Sequence, residues 1–150
     1  MTAQNIIKHS PFQELLIVDI GGTVASGYAG KLFADYGARV VNLEPPQGFS
    51  TRRIEPLLNN GNSAIHAYLH ANKESVCCDE PLTSHPAIAA ADLVLLDITT
   101  LPPSVSVDDF DANVCAISWY GLNGPYADFN GSDASIYALT GLMQGVGESQ

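Results

Sequence analysis

Positive charge is missing from the second half of this sequence. All six Lys and Arg residues of the 150-residue chain lie at or before Lys73, whereas residues 74–150 carry eleven acids and no base. Nucleic-acid backbones are bound through Lys and Arg, so the composition argues against a nucleic-acid partner. An anionic ligand would depend on the first half or on backbone N–H groups. The alternative is a solvated acidic face that keeps the protein soluble.

Long apolar runs and paired cysteines are also missing. No stretch approaches the roughly 18 residues of a membrane span, and the N-terminus lacks the pattern of a secretory signal, so we expect no membrane partner. The three cysteines are Cys77, Cys78 and Cys115, without a CxxC spacing. Their number and context predict reduced, buried thiols in a cytoplasmic protein and no zinc site.

Short apolar runs alternate with helical patterns along the chain. LLIVDI at 15–20 is typical of a buried parallel strand, 24–36 has helical spacing before Gly37, and 39–43 predicts a second strand. Further strands are predicted at 75–78, 93–98 and 114–119, and further helices at 86–91 and 133–143, whereas 63–71 is ambiguous. This alternation predicts a single α/β domain over 1–150 with a mostly parallel sheet.

The glycine-rich segment after the first strand fits no standard phosphate loop. Gly21 and Gly22 are followed by Thr23, which breaks the G-x-G-x-x-G spacing, and Tyr28 stands where a Walker A loop needs Lys. A glycine turn before a helix N-terminus remains, which is either an anion site or a turn that admits only small residues.

His66 and His70 have the i,i+4 spacing of a helical metal pair. The glutamate of an HExxH motif is absent, since residue 67 is Ala. We therefore interpret them as ordinary histidines on a polar face and expect no metal.

An aspartate stands where a loop rich in turn residues becomes the last predicted helix. Asp133 follows Gly131 and Ser132 in GPYADFNGSDASIYALTG, residues 124–141. Asp is a good N-cap, although Ser132 could cap the helix equally well. An exposed carboxylate at such a junction can also act as a nucleophile. This stretch alone leaves both interpretations open.

Four collinear segments resemble the family III CoA-transferases. They are VDIGGTVASGYAGKLFADYGARVVNLEPP at 18–46, LHANKESVCCD at 69–79, AADLVLLDI at 90–98 and ISWYGLNGPYADFNGSDASIYALTGLM at 117–143. The last is the most specific. The resemblance implies a Rossmann-like, mostly parallel sheet with flanking helices, forming the first portion of the family's large domain.

The resemblance also implies a transferase with Asp133 as its nucleophile. CoA would move from an acyl-CoA thioester to an acceptor carboxylate, through a mixed anhydride and an aspartyl-CoA thioester. Coenzyme A would enter as acyl-CoA, and no metal is implied. The implied CoA-binding positions are Thr23, Val24, Ala25, Arg52, Leu69, Ala71, Asn72, Lys73, Trp119, Tyr120 and Gly121.

Several positions depart from the family pattern. Pro45 stands where formyl-CoA transferase has an arginine for CoA, and Asp97 replaces an asparagine and would repel phosphates. Racemase chemistry is disfavoured because no histidine follows His85 and Ser132 replaces the histidine before Asp133.

The resemblance implies a full-length protein of about 400 residues whose subunits pair as a homodimer. We therefore expect this chain to be a fragment with little activity of its own. The alternative, from a different class, is a Rossmann-like module that has lost CoA binding and serves assembly or regulation.

Overall fold

The structure is a computed structural model that describes residues 10–79 and 81–145. The strands are β1 (Leu16–Asp19), β2 (Arg39–Glu44), β3 (Glu74–Cys77), β4 (Leu93–Asp97) and β5 (Val114–Ile117). The α-helices are α1 (Val24–Asp35), α2 (Ala64–Leu69), α3 (Pro86–Ala90) and α4 (Asp133–Leu139), with 3₁₀ turns at Ser50–Arg53, Leu82–Ser84, Val107–Asp109 and Leu142–Gly145.

The five strands form one parallel sheet in the order β3-β2-β1-β4-β5. β1 pairs with β2 on one side and with β4 on the other, and Asp19 lies opposite Asn42 in the register of β1 and β2. The strand order therefore reverses at β1, where an open α/β sheet has its ligand crevice beyond the carboxyl ends of the strands. The α/β prediction is confirmed.

Both faces of the sheet are buried along the central strands β1, β2 and β4, as the continuous apolar strands predict. Ile17, Val40 and Leu95 pack with Ala34 of α1 on one face. On the other face the core combines strand residues with Ile88 of α3 and Phe110 from the connector before β5. Its strand residues are Val18, Val41, Leu43, Val94 and Leu96.

Helix α1 turns a face of small residues towards the sheet. Its buried residues are Ser26, Gly27, Gly30 and Ala34, whereas Tyr28, Leu32 and Tyr36 are about half exposed. Gly37 follows the C-cap with φ of 96°, as expected for a glycine that ends a helix.

Two predictions from the sequence need correction. Helix α4 ends at Leu139 rather than at 143, because Gly141 adopts φ of 76° and leaves the helical conformation. Cys78 is buried, but Cys77 and Cys115 are exposed because the outer strands β3 and β5 leave one side uncovered.

Contacts divide the chain into two compact units, Met1–Ala116 and Ile117–Gln150. The first contains β1–β4 and helices α1–α3. In the second, none of the described residues 117–145 is buried, and large apolar side chains such as Tyr137 and Leu139 are exposed. The expectation of one domain over 1–150 stays a prediction. No helix within 10–79 and 81–145 has the length and apolar character needed to cross a bilayer.

Candidate active site

The turn after β1 is built from two glycines that no other residue could replace without strain. A Cβ on Gly21 would lie 2.5 Å from Ser26 Oγ, and Gly22 has φ of 63° with Phe49 against it. The turn is tied to its neighbours, because Ser50 Oγ donates to the Gly22 carbonyl and Thr100 Oγ1 to the Gly21 carbonyl. The loops after β2 and β4 thus meet at the turn after β1.

Thr23 joins this turn to helix α1 and to β4. Its hydroxyl oxygen accepts from Ser26 N in a capping box, and the hydroxyl donates to Asp97 Oδ2 at 2.9 Å. The other carboxylate oxygen of Asp97 accepts from the backbone N–H and the hydroxyl of Thr99. Asp97 therefore holds the ends of β1 and β4 together. Val24 and Ala25, the first residues of α1, are exposed beside this junction.

Glu44, the last residue of β2, organises the loop that follows it. Arg52 donates two hydrogen bonds of 2.6 Å to its carboxylate, and Ser75 Oγ and Phe49 N also donate to it. Burial opposes ionisation of Glu44, but these four donors outweigh it and lower the pKa of the carboxyl to about 2. The guanidinium of Arg52 is thereby committed to a neighbour within the protein.

A cavity of about 480 Å³ opens at the carboxyl ends of β1, β2 and β4. Ile20, Leu43, Phe49 and Leu82 give it apolar walls, and Ser50 and Thr100 add hydroxyl groups. Among the residues that the structure describes, two charged side chains line it, Arg53 and Asp79. The cavity lies at the crevice that the topology predicts and has the mixed lining of a small-molecule site.

Lys73 lies under helix α1 rather than at the cavity. Its side chain is fully buried, with Nζ 3.5 Å from Asp19 Oδ2 and donating to the Gly27 carbonyl at 2.9 Å. Burial lowers the pKa of Lys73 and raises that of Asp19, and the attraction between the two charges opposes both shifts. The ammonium group is therefore not available to a phosphate in this structure.

The predicted CoA-binding residues that precede Lys73 in the segment 69–79 also have structural explanations. Leu69 is buried at the end of α2, and Ala71 is exposed. Asn72 adopts φ of 64°, a left-handed conformation that Asn tolerates better than most residues. A buried leucine, a left-handed asparagine and a paired lysine explain these residue types without a ligand, and their contact with CoA stays a prediction.

His66 and His70 belong to a partly buried hydrogen-bonded cluster. Their rings are 4.3 Å apart, and Thr51 Oγ1 lies 2.9 Å from His66 Nδ1 and 3.3 Å from His70 Nε2. Asn42 Nδ2 contacts His70 Nδ1 at 2.9 Å. Burial, with repulsion from Lys73, lowers the pKa of His70 to about 3. No group of three or more metal-ligating side chains occurs within the described residues.

Asp133 is the first residue of α4 but not its cap. Ser132 is the N-cap and forms a capping box with Ser135, which leaves the Asp133 side chain exposed. Among the described residues the Asp133 carboxylate has no hydrogen-bond or ion-pair partner. Helix formation therefore does not account for this carboxylate, and it is open to an external electrophile.

The structure brings the predicted residues of the 117–145 unit close together. Trp119 packs so closely on Gly131 that a Cβ there would lie 2.6 Å from Trp119 Cγ. The Tyr120 hydroxyl donates to Ser135 Oγ at 3.0 Å, and Gly121, with φ of 89°, turns the chain after it. Trp119 and Tyr120 thus contact residues just before and just after Asp133 in the sequence.

The predicted site residues do not include the two charged residues that line the cavity. Arg53 lines it, although Arg52 was the predicted ligand, and Asp79 lines it as a second charged residue. Two adjacent arginines carry no signal for which one faces a ligand. The acid at position 44, at the end of a predicted strand, was the only indication that one of them is paired internally.

Comparisons with known proteins give one consistent result. Residues 12–93 match the sequence model of CoA-transferase family III. Succinate–glutarate CoA-transferase of Agrobacterium fabrum is 27% identical over 94% of this chain and 40% of its own length. A BbsE subunit of succinyl-CoA:(R)-benzylsuccinate CoA-transferase from Thauera aromatica is 28% identical over 88% of this chain and 36% of its own.

A solved structure supports the same assignment. The crystal structure of a CaiB/BaiF family protein from Brucella suis superposes with a TM-score of 0.71 at 27% identity, covering 93% of this chain and 41% of that one. The chain thus spans about two fifths of the length of the relatives it matches. The family match covers more than half of the sequence, and the chain belongs to CoA-transferase family III.

Proposed function

We propose that this chain is part of an enzyme that transfers CoA from an acyl-CoA to a carboxylate acceptor, with Asp133 as nucleophile. The observation that carries the proposal is the Asp133 carboxylate, which is exposed and unpaired among the described residues at the start of α4. Family membership and the relatives' names supply the reaction class.

The proposed reaction needs a carboxylate because each step exchanges one acyl bond for another. An Asp133 oxygen attacks the thioester carbon, the C–S bond breaks, and a CoA thiolate leaves a mixed anhydride behind. The thiolate then attacks the Asp133 carbonyl carbon and expels the donor carboxylate. An acceptor carboxylate repeats both steps in reverse, which yields the new acyl-CoA and regenerates the Asp133 carboxylate.

CoA binding is the second part of the proposal. The cavity beyond β1, β2 and β4 has apolar walls for an adenine ring and hydroxyl groups at its edge. The exposed residues Thr23, Val24 and Ala25 follow the glycine turn beside it. Trp119, Tyr120 and Gly121 are also proposed to contact CoA. Cytoplasmic location and a homodimer also stay proposals.

Trapping with hydroxylamine tests the nucleophile. The chain is incubated with an acyl-CoA and then with hydroxylamine, which converts an acyl-aspartate or aspartyl thioester to a hydroxamate. Mass spectrometry should find the hydroxamate on the peptide that contains Asp133 and none after Asp133→Asn. Asp128→Asn removes another exposed acid of the same unit and should leave the modification unchanged.

Two outcomes would contradict the proposal. A hydroxamate that persists after Asp133→Asn would place the nucleophile elsewhere. If the chain binds CoA but forms no hydroxamate after incubation with acyl-CoA and hydroxylamine, a binding module without catalysis would be favoured.

A further inference from the structure

Arg53 differs from every other cation that the structure describes. Lys31, Arg39, Arg52 and Lys73 each lie within 4.0 Å of a carboxylate, in ion pairs with Asp35, Glu74, Glu44 and Asp19. Within 10–79 and 81–145, Arg53 is the only Lys or Arg without such a partner. Within the described residues its one hydrogen bond is donated from Nη1 to the Gln47 carbonyl at 2.9 Å. A guanidinium has five N–H donors, so most remain free for a ligand.

The loop between β2 and the 3₁₀ turn fixes where Arg53 points. Arg52 is tied to the buried carboxylate of Glu44, which also accepts from Phe49 N. These bonds hold the turn Ser50–Arg53 at the edge of the cavity, and the Gln47 carbonyl orients the Arg53 guanidinium. The position of this cation is set by the fold before any ligand arrives, which reduces the entropy lost on binding.

The surroundings of Arg53 fit a nucleotide phosphate. Apolar side chains such as Leu43 and Phe49 line the cavity of about 480 Å³, which has room for a heterocyclic ring. Arg53 supplies positive charge at this lining, in the planar, two-pronged geometry that matches phosphate oxygens. Pro45 and Pro46 line the same cavity and bring no donor of their own.

We propose that Arg53 binds a phosphate group of the CoA nucleotide at this cavity. The inference rests on the proposed function, because it requires that the chain binds CoA. Two phosphate sources share this chemistry, the 3′-phosphate of the ribose and the diphosphate bridge. Asp79, an exposed acid on the same cavity, repels either one and weakens the site.

Calorimetric titration of the full chain with CoA and with 3′-dephospho-CoA tests the proposal. Arg53→Gln should raise the Kd for CoA about ten-fold or more, because the substitution removes a charged hydrogen bond to phosphate. If Arg53→Gln weakens the binding of CoA but not of 3′-dephospho-CoA, the 3′-phosphate is the partner of Arg53. If it weakens the binding of both ligands equally, the diphosphate is the partner. Asp79→Asn should lower the Kd for CoA roughly two- to five-fold.

Arg39→Gln is the matched control. Arg39 is an exposed arginine at the amino end of β2, across the sheet from the cavity, and its replacement removes the same charge. CoA affinity should be unchanged in this variant, and circular dichroism should show that all variants remain folded. Arg53→Lys keeps the charge but not the planar fork, and should recover part of the affinity.

The two proposals fail differently. Equal CoA affinity in Arg53→Gln and in the unsubstituted chain would overturn the role of Arg53 and leave CoA binding intact. No CoA binding by the unsubstituted chain would overturn both proposals. A loss of affinity in Arg39→Gln as large as in Arg53→Gln would show a nonspecific charge effect and would also overturn the role of Arg53.

Discussion

Adjacent arginines serve different purposes at the end of β2. Arg52 neutralises Glu44, whose side chain is only 4% exposed, while the neighbouring Arg53 has no carboxylate partner among the described residues. A buried carboxylate without its partner is costly, because neither water nor another donor replaces the lost bonds. Arg52 therefore acts through stability, whereas the role proposed for Arg53 is ligand binding.

The free energy of unfolding should separate the two arginines. Arg52→Gln should lower it by about 2 kcal/mol, because Glu44 keeps Ser75 and Phe49 N as donors but loses its cation. Arg53→Gln should change it by no more than about 0.5 kcal/mol, as is usual for a surface substitution. Urea denaturation followed by circular dichroism gives both values, and equal losses would contradict this assignment.

The sequence predicts where some site residues lie in the secondary structure, but it does not predict which other residues they contact. The change from turn residues to a helical pattern places Asp133 at the start of a helix, and the structure has it there, exposed. Lys73 is a natural phosphate partner by charge alone, but its partner Asp19 is 54 positions away and meets it only after β1, α1 and β3 have packed. Local patterns contain no information on such long-range pairs.

At the scale of elements, close packing explains why the buried face of α1 consists of small residues. Gly27 and Gly30 face α2 and Lys73, and a Cβ on Gly30 would lie 2.7 Å from Lys73 Nζ. The helical pattern of α1 could be read from the sequence, because its aromatic and apolar residues recur with helical spacing. The sequence does not show which face of α1 is buried, because the large residues lie on the exposed side of the helix.

Gly30→Ala tests this explanation of the small face. Alanine normally stabilises a helix interior by about 1 kcal/mol relative to glycine. Here we expect a loss of about 1–3 kcal/mol, because the added methyl group displaces the ammonium of Lys73 from Asp19.

A double-mutant cycle with Lys73→Ala supplies the control. In that background Gly30→Ala should be neutral or stabilising, since the displaced group is gone, so the two substitutions should couple by at least about 1 kcal/mol. Thermal or urea denaturation of the four chains measures the coupling. An unchanged effect of Gly30→Ala in both backgrounds would show that Lys73 is not what excludes a side chain.

At the scale of the whole molecule, ionisable groups in the interior link stability to pH. Glu44 and His70 both have lowered pKa values, about 2 and about 3. The unfolded chain binds more protons than the folded chain wherever pH lies between such a value and the ordinary one. Both groups therefore stabilise the fold fully at neutral pH and lose this contribution on acidification. Asp19, whose burial raises its pKa, acts in the opposite direction.

His70, with a further contribution of the same sign from His66, whose pKa burial also lowers, should dominate the pH dependence of stability between about pH 4.5 and 6.5. This range lies above the ordinary pKa of Glu44 and below that of histidine. A folded-state pKa near 3 means that His70 stays neutral throughout this window, while the same side chain in the unfolded chain takes up a proton. The unfolding free energy should fall with a slope approaching 1.4 kcal/mol per pH unit at the acidic end, the limit of about one proton.

His70→Gln isolates this contribution, because glutamine can still accept from Asn42 and donate to Thr51 but does not titrate. Subtracting its pH profile from that of the unsubstituted chain removes the effects of Glu44 and Asp19, which are common to both. The difference should shrink as pH falls from 6.5 to 4.5, and the His70 ring should show no protonation by NMR above pH 4. The prediction is contradicted if the stability difference between the two chains does not change with pH, or if the His70 ring titrates near pH 6.5. Either result would mean that the cluster tolerates a charged imidazole. The desolvation of His70 would then be weaker than its packing against Phe49 and His66 implies.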